Sequence, residues 1–230
     1  MLNLASVKTI QAHQSNRHSV RPHAVASPYA SGDTLEMMGA VMSLGRNEEV
    51  YGDGEPADYL YRVVSGAVRR YKVLDDGRRQ IGGFYLAGDM FGLEIGAEHA
   101  SSAEAVDIAT VLVFKRRAVL ALANRDGDVA RQLWAMTARE LHRAHRHTLL
   151  LILSAQERVV SFLFEMAGRL QSNDVELPMS RQDIADYLGL TIETVSRTLT
   201  QLGSSGAIAM PAARRIALRN RAALRCLEAA

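Results

Sequence analysis

Glu193, Ser196 and Arg197 stand three and four positions apart near one end of the chain. On a helix, which advances about 100° per residue, they share a face with Thr200, while Val195, Thr198, Leu199 and Leu202 fall opposite. One side of such a helix is polar and the other packs. The polar set combines a guanidinium with its donors in a fixed fork, a carboxylate that only accepts, and a hydroxyl that does both. None of them is a nucleophile with an adjacent base, so the arrangement suits recognition and not bond breaking. Its counterpart is the edge of a base pair: arginine forks onto guanine O6 and N7, glutamate accepts from cytosine N4, and serine serves either.

Base reading requires that the helix be delivered into a groove, and the surrounding residues carry the signals for that. Ser180-Arg181-Gln182-Asp183 starts a short helix, with Ser180 as N-cap and Asp183 one turn in. Gly189 supplies a sharp turn, and Thr191 caps a second helix that runs to about Leu202. Ile184, Ala185, Leu188, Gly189, Leu190 and Val195 fall where a helix-turn-helix places its apolar contacts, its small crossing residue and its turn glycine. Ile208/Met210 and Ile216/Leu218 flank Pro211-Ala212-Ala213-Arg214-Arg215 as two short strands, a wing whose Arg214 and Arg215 can meet backbone phosphate. Ser180, Thr191, Thr194 and Thr200 are expected to touch the DNA backbone or to support the reading side chains. From residue 178 onward the net charge is +3 against −1 before it, so positive charge gathers where phosphate would be met.

Upstream the pattern changes twice. Residues 1–30 carry His13, His18, Arg17, Arg21, Pro22 and Pro28 without periodicity and read as a flexible leader. Residues 31–125 hold short β-branched or aromatic runs at 59–66, 68–73, 81–86 and 108–114, with Asp75-Asp76-Gly77 as a hairpin signal, and read as an antiparallel β-roll. Residues 126–153 read as one long helix. In it Ala130, Leu133, Thr137, Leu141, Ala144, Thr148 and Leu151 recur at steps of three and four, the seam of a helix packed lengthwise on another. The roll is too small to cover this extra stripe, so the expected partner is a second copy, making a homodimer. Residues 154–230 begin with the capping box Ser154-Ala155-Gln156-Glu157, and Asn220 caps a last short helix. The expected fold is therefore α+β: an N-terminal antiparallel β-roll, a long dimerisation helix, and a C-terminal winged helix-turn-helix.

Several other chemistries are excluded. The 230 residues, 48% hydrophobic and 23% charged, can build two small domains and do not resemble a disordered chain. The longest apolar run, at residues 149–153, falls far short of the roughly 20 residues needed to span a bilayer, and no secretory signal is apparent, so a cytoplasmic location without a membrane partner is expected. Cys226 stands alone, which rules out a disulfide within the chain and an all-cysteine metal centre. Gly52-Asp53-Gly54-Glu55-Pro56-Ala57 has glycine spacing found in dinucleotide sites, yet Pro56 and Glu55 oppose a helix N-terminus that binds pyrophosphate. His142, His145 and His147 are interleaved with Arg143 and Arg146, which would repel a cation, and read as an exposed basic helix; no metal site is expected. No phosphate-binding loop, zinc-protease motif or nucleophile elbow occurs, so the chain is not expected to be an enzyme.

The order of roll, long helix and winged helix-turn-helix resembles the CRP/FNR family of bacterial transcription regulators over nearly the whole chain. The matching stretches are Leu60-Tyr61-Arg62-Val63-Val64-Ser65-Gly66-Ala67-Val68, Ala87-Gly88-Asp89-Met90-Phe91-Gly92, and Asp186-Tyr187-Leu188-Gly189-Leu190-Thr191-Ile192-Glu193-Thr194-Val195-Ser196-Arg197. Glu193-x-x-Ser196-Arg197 is similar to the FNR branch, and its surroundings to FixK-type members. The resemblance implies a cyclic-nucleotide-binding-like roll and a homodimer on double-stranded DNA, at palindromic operators with TTGA-type half-sites. It implies an activator of microaerobic, denitrification or nitrogen-fixation genes. Ile192 stands where cAMP-receptor members carry a further base-reading arginine, so their TGTGA preference does not carry over. Asp75, Asp76, Gly77, Arg78 and Arg79 match a loop by which FNR-like activators touch RNA polymerase.

The departures from the family concern the effector. FNR holds an iron–sulfur cluster on four cysteines, one of which matches Leu112, and none of them is present here. Glu94 lies one position from the ribose-binding glutamate of cAMP-binding members, but residues 98–104 contain no arginine for the cyclic phosphate. Ser180 replaces the cysteine that some FixK-type proteins use as an oxidation switch. The resemblance thus points to no cofactor and to a regulator acting without an effector or with an unknown one. Two alternatives stay open: a regulator of the same fold gated by haem, nitric oxide or another small molecule, and a nucleotide-binding regulatory module without DNA binding.

Overall fold

Two four-stranded antiparallel sheets form the N-terminal end of the computed structural model, which describes residues 38–228. The leader assigned to residues 1–30 lies outside the described residues. One sheet has the order β1 (Ala40–Leu44), β8 (Ala109–Lys115), β3 (Tyr59–Ser65), β6 (Met90–Phe91). The other has the order β2 (Glu49–Tyr51), β7 (Ser102–Ala105), β4 (Ala67–Val73), β5 (Arg79–Leu86). Tyr51, Tyr61, Val63, Val68, Tyr85, Phe91, Val111 and Val113 fill the space between them, following the period-two alternation of half-buried strands. Gly66 turns β3 into β4 at φ 76°, where a Cβ would stand 2.3 Å from the Ile108 carbonyl oxygen, so the turn admits only glycine. The β4–β5 hairpin pairs Val73 with Arg79 and turns through Asp75-Asp76-Gly77 as the residues foretell. Strand β7, Ser-Ala-Glu-Ala, was not anticipated. Its residues have low strand propensity, and Ala103 and Ala105 are held in place by burial against neighbouring strands.

Helix α1 (Arg116–Ala123) leads to the long α2 (Gly127–Leu150), whose N-cap Asp126 accepts from the backbone N–H groups of Asp128 and Val129. Two stripes run along α2. Val129, Leu133 and Met136 pack on Leu60, Phe114 and Val119 of the same chain's roll and α1. Trp134, 77% exposed, and Leu141, 71% exposed, stand on the outer stripe with exposed Thr137, Ala144 and Thr148. The Thr137 and Thr148 hydroxyls donate to the Leu133 and Ala144 carbonyls at 2.9 and 3.0 Å, which satisfies these polar groups within the helix. Leu133, read from sequence as part of the outward seam, is thus turned toward the roll, and Trp134 takes the neighbouring outward position. Leu151 is the C-cap, exposed beyond the last helical residue.

Helix α3 (Ala155–Arg169) starts with the expected capping box: the Ser154 N–H donates to Glu157 Oε2 at 2.7 Å and the Glu157 N–H to Ser154 Oγ at 3.4 Å. The chain continues through β9 (Asp174–Glu176), α4 (Arg181–Leu188), α5 (Ile192–Ser204), β10 (Ile208–Ala212), β11 (Arg215–Leu218) and α6 (Arg221–Glu228). The wing is a three-stranded sheet in the order β10-β11-β9, one strand more than the sequence suggested. Asn220 Oδ1 accepts from the Ala223 N–H at 3.0 Å, as its capping role requires. No helix among the described residues is long and apolar enough to cross a membrane.

The roll and the C-terminal unit share one apolar core. Ile81, Phe84 and Leu86 of β5 join Val160, Phe162 and Leu163 of α3 and Ile184, Tyr187 and Leu188 of α4. The Phe84 ring lies 5.3 Å from Tyr187 and 6.4 Å from Phe162. His147, read from sequence as part of an exposed basic helix, is instead half-buried: its ring stacks on Tyr187 at 4.1 Å, and its Nε2 lies 2.7 Å from the Tyr187 carbonyl oxygen.

Candidate nucleic-acid interface

Helices α4 and α5 meet through a turn that the residues dictate closely. Ser180 Oγ accepts from the Asp183 N–H at 3.1 Å, while Asp183 Oδ2 accepts from the Ser180 N–H at 3.0 Å, a capping box with aspartate in place of glutamate. Gly189 closes α4 in the left-handed conformation, φ 62°, and its N–H returns to the Ala185 carbonyl. Thr191 then caps α5, accepting from the Thr194 N–H at 3.2 Å. Val195, Thr198, Leu199 and Leu202 are buried and hold α5 against the core.

The opposite side of α5 carries the expected residues together. Glu193, Arg197 and Thr200 are exposed and Ser196 is half-buried beside them. Hydrogen bonds from its own backbone N–H and from the Thr191 hydroxyl hold the Glu193 carboxyl below its ordinary range, so it presents an ionised acceptor at neutral pH. Arg197 has no hydrogen-bond or ion-pair partner among the described residues. Thr200 donates its hydroxyl to the Ser196 carbonyl at 2.9 Å and so offers an acceptor and a methyl group outward. Arg181 was read from sequence only as part of a start signal. It places Nη1 3.4 Å from Ser196 Oγ and adds a cation at the edge of this face.

The wing arginines are in a different state. Arg214 reaches back to Asp107 of the roll at 3.3 Å, and Arg215 grips Asp174 of β9 with two bonds of 2.9 and 2.5 Å. Both pairs are solvent-accessible, so both arginines can exchange an acid for a phosphate. In the hairpin, Asp75, Asp76, Gly77 and Arg78 are exposed and Arg78 folds onto Asp76 at 2.7 Å. Arg79 points elsewhere: its Nη2 donates to Asp183 at 2.6 Å and its Nε to Asp186 at 2.8 Å, both on α4. Arg69 of β4 joins the same carboxylate at 2.9 Å. Despite burial, the Asp183 carboxyl lies below its ordinary range because bonds from Ser180 and the charges of Arg69 and Arg79 outweigh the desolvation. Nothing in the local pattern around Arg69 or Arg79 signals a partner more than a hundred positions away.

Residues 41–126 match the family model of the cyclic nucleotide-binding domain, and residues 157–227 that of the Crp-like helix-turn-helix domain. The nitrogen fixation regulation protein FixK of Azorhizobium caulinodans is 46% identical over 223 residues, covering 93% of this chain and 90% of that protein. FixK of Rhizobium meliloti is 43% identical, with 78% of this chain and 82% of that protein covered. The solved structure of FixK2 from Bradyrhizobium japonicum is 53% identical, covers 84% of this chain and 98% of that one, and superposes with a TM-score of 0.79. The relatives are regulators and not enzymes, both domains are matched, and the geometry of α4 and α5 is that of a DNA-binding helix-turn-helix. This chain therefore belongs to the CRP/FNR family of transcription regulators, among its FixK-type members.

Proposed function

We propose that this regulator binds palindromic, TTGA-type operators as a homodimer, with Glu193, Ser196 and Arg197 reading bases in the major groove. The observation that carries the reading is the state of α5: Arg197 stands exposed without a partner among the described residues, next to a carboxylate held ionised, on the helix that the fold presents outward. Ser180, Thr191, Thr194 and Thr200 support that face, and Arg214 and Arg215 neutralise backbone phosphate by leaving their acid partners. The bare outer stripe of α2, with Trp134 and Leu141, supports a dimer seam along Thr137, Leu141, Ala144, Thr148 and Leu151. Residues 31–125 then act as a sensor-like roll, 126–153 as the dimerisation helix and 154–230 as the DNA-binding unit. We assign a cytoplasmic location and, because FixK relatives are named for nitrogen fixation regulation, nitrogen-fixation targets; the resemblance to FixK-type members adds microaerobic or denitrification genes. Activation would use the exposed hairpin, Asp75 to Arg78, on RNA polymerase.

Fluorescence titration of a TTGA palindrome and of a scrambled duplex tests this reading. The palindrome is expected to bind at least about a thousandfold more tightly. Equal affinities contradict it. Leu141→Glu, which sets like charges against each other in an apolar seam, is expected to sediment as a monomer. A persistent dimer contradicts the seam.

One observation favours a second reading, a small-molecule-gated regulator of the same fold. The buried Tyr51 hydroxyl has no hydrogen-bond partner among the described residues, and it lies beside His99, 2% exposed and stacked on Tyr51 at 3.6 Å, which approaches Glu94 only to 3.4 Å. Buried polar atoms left unpaired are costly and mark places where a ligand can complete the bonding. An absorption spectrum of freshly purified protein, and thermal melts with cAMP, separate the readings: a chromophore or a raised melting temperature favours gating.

A further inference from the structure

Asp183 divides its two oxygens between two tasks. Oδ2 takes the Ser180 N–H at 3.0 Å and the Ser180 hydroxyl at 2.7 Å, closing the first turn of α4. Oδ1 takes Arg69 Nη1 at 2.9 Å and Arg79 Nη2 at 2.6 Å, both from the roll. Arg69, only 6% exposed, is itself fixed by Glu104 Oε1 at 2.7 Å and Asn47 Oδ1 at 2.9 Å. Arg79 also grips Asp186 at 2.8 Å, so the roll holds α4 at two places about a turn apart. Asp183 is 3% exposed.

The cap uses only Oδ2 of Asp183, and an apolar joint would hold the two units together, as Phe84, Phe162 and Tyr187 already do. Burying Arg69 and Asp183 for adhesion is inefficient, because desolvation consumes most of the attraction. What the guanidinium groups supply is direction: Arg69 and Arg79 meet the same Asp183 oxygen, and Arg79 spans from there to Asp186, which leaves α4 little freedom to roll or slide. From α4 the constraint passes to α5 by way of the Gly189 turn and the contact of Arg181 with Ser196 at 3.4 Å. We infer that Arg69 and Arg79 are positioning residues for DNA recognition, which act through Asp183 to set the angle at which α5 enters the groove. The inference rests on α5 being the reading helix.

The test uses the full chain with Arg69→Met, Arg79→Met and the double variant, titrated on the operator and on random duplex over a range of salt concentrations, with Arg197→Ala alongside. The double variant is expected to stay folded and dimeric and to lose about tenfold in operator affinity. Its random-duplex affinity and salt slope should stay unchanged, because neither arginine touches DNA. In an Asp183→Asn background, Arg69→Met, which meets α4 through Asp183 and not through Asp186, should bring no further loss. Unchanged operator affinity overturns the inference, as does a flattened salt slope, which marks a direct phosphate contact, or a loss that adds fully to that of Asp183→Asn. If removing both guanidinium groups unfolds the chain, Arg79→Lys keeps the charge and loses the fork: a severalfold operator loss at an unchanged melting temperature is expected, and unchanged binding overturns the inference. A purely structural role would lower the melting temperature and both DNA affinities together, which also overturns it. Arg197→Ala keeps the outcomes apart: if it loses operator affinity selectively while the roll variants are silent, α5 remains the reader and only the positioning role falls.

Discussion

The inner and outer sides of the helix-turn-helix treat their polar groups in opposite ways. On the inner side Asp183 and Asp186 are taken by Arg69 and Arg79, and the Tyr187 carbonyl by His147. On the outer side Arg197 has no partner among the described residues, and Glu193 is tied only to its own turn. The wing lies between these extremes, with Arg214 and Arg215 held in exposed pairs. The difference separates three uses of arginine. A buried pair fixes geometry, an exposed pair is a reserve of charge, and an unpaired group is free to form new bonds without first breaking old ones.

The largest effect is expected where the inner side is apolar. Phe162, fully buried between the roll and α4, should cost about 3–5 kcal/mol when replaced by alanine. Because Phe84 and Phe162 belong to one core, the roll and the DNA-binding unit should melt together in calorimetry. A roll that kept its own unshifted transition would break the comparison.

A smaller effect distinguishes the wing. Asp174→Asn releases Arg215, so it should strengthen operator and random-duplex binding alike by a few-fold, roughly the share of one phosphate contact. Arg215→Ala should weaken both alike and flatten the salt slope by about one unit. Selective loss on the operator would move Arg215 from phosphate to base.

The smallest effect is a titration. Burial lowers the pKa of His147 and outweighs the Tyr187 carbonyl, which accepts from the neutral ring's Nε2–H and raises it. The unfolded chain, near the ordinary value of about 6.5, therefore takes up the proton first. Stability is fully present above that pH and declines as pH falls through it toward the folded value. His147→Gln should flatten this part of the stability curve, and an equal slope in both proteins would remove His147 from the joint.

Much of the outer side was legible in sequence, because a surface helix separates polar from packing residues at a fixed angle and its caps are local. Val195, Thr198, Leu199 and Leu202 fell on the buried face by periodicity alone, and Ser154, Ser180, Thr191 and Asn220 announced their helices. The inner side was not legible. Arg69 looks like an ordinary strand residue and Arg79 like part of the exposed hairpin, since their partners lie 114 and 104 positions away. Spacing puts Leu133 on the outward seam, whereas it serves the inner of two adjacent apolar stripes on α2, one for its own roll and one facing outward, which periodicity alone does not tell apart. Strands β1, β2, β6, β7 and β9 are not legible in the local pattern, because they are short and held by their neighbours and not by propensity.

The central claim, that the unpaired outer arginine reads sequence, is tested most directly by Arg197→Ala on the operator and on random duplex at two salt concentrations. The free state of Arg197 predicts a loss of about 1–3 kcal/mol on the operator, little change on random DNA and an unchanged salt slope. If operator and random duplex lose equally, with a flatter slope, Arg197 is a phosphate contact and α5 is not the reading helix.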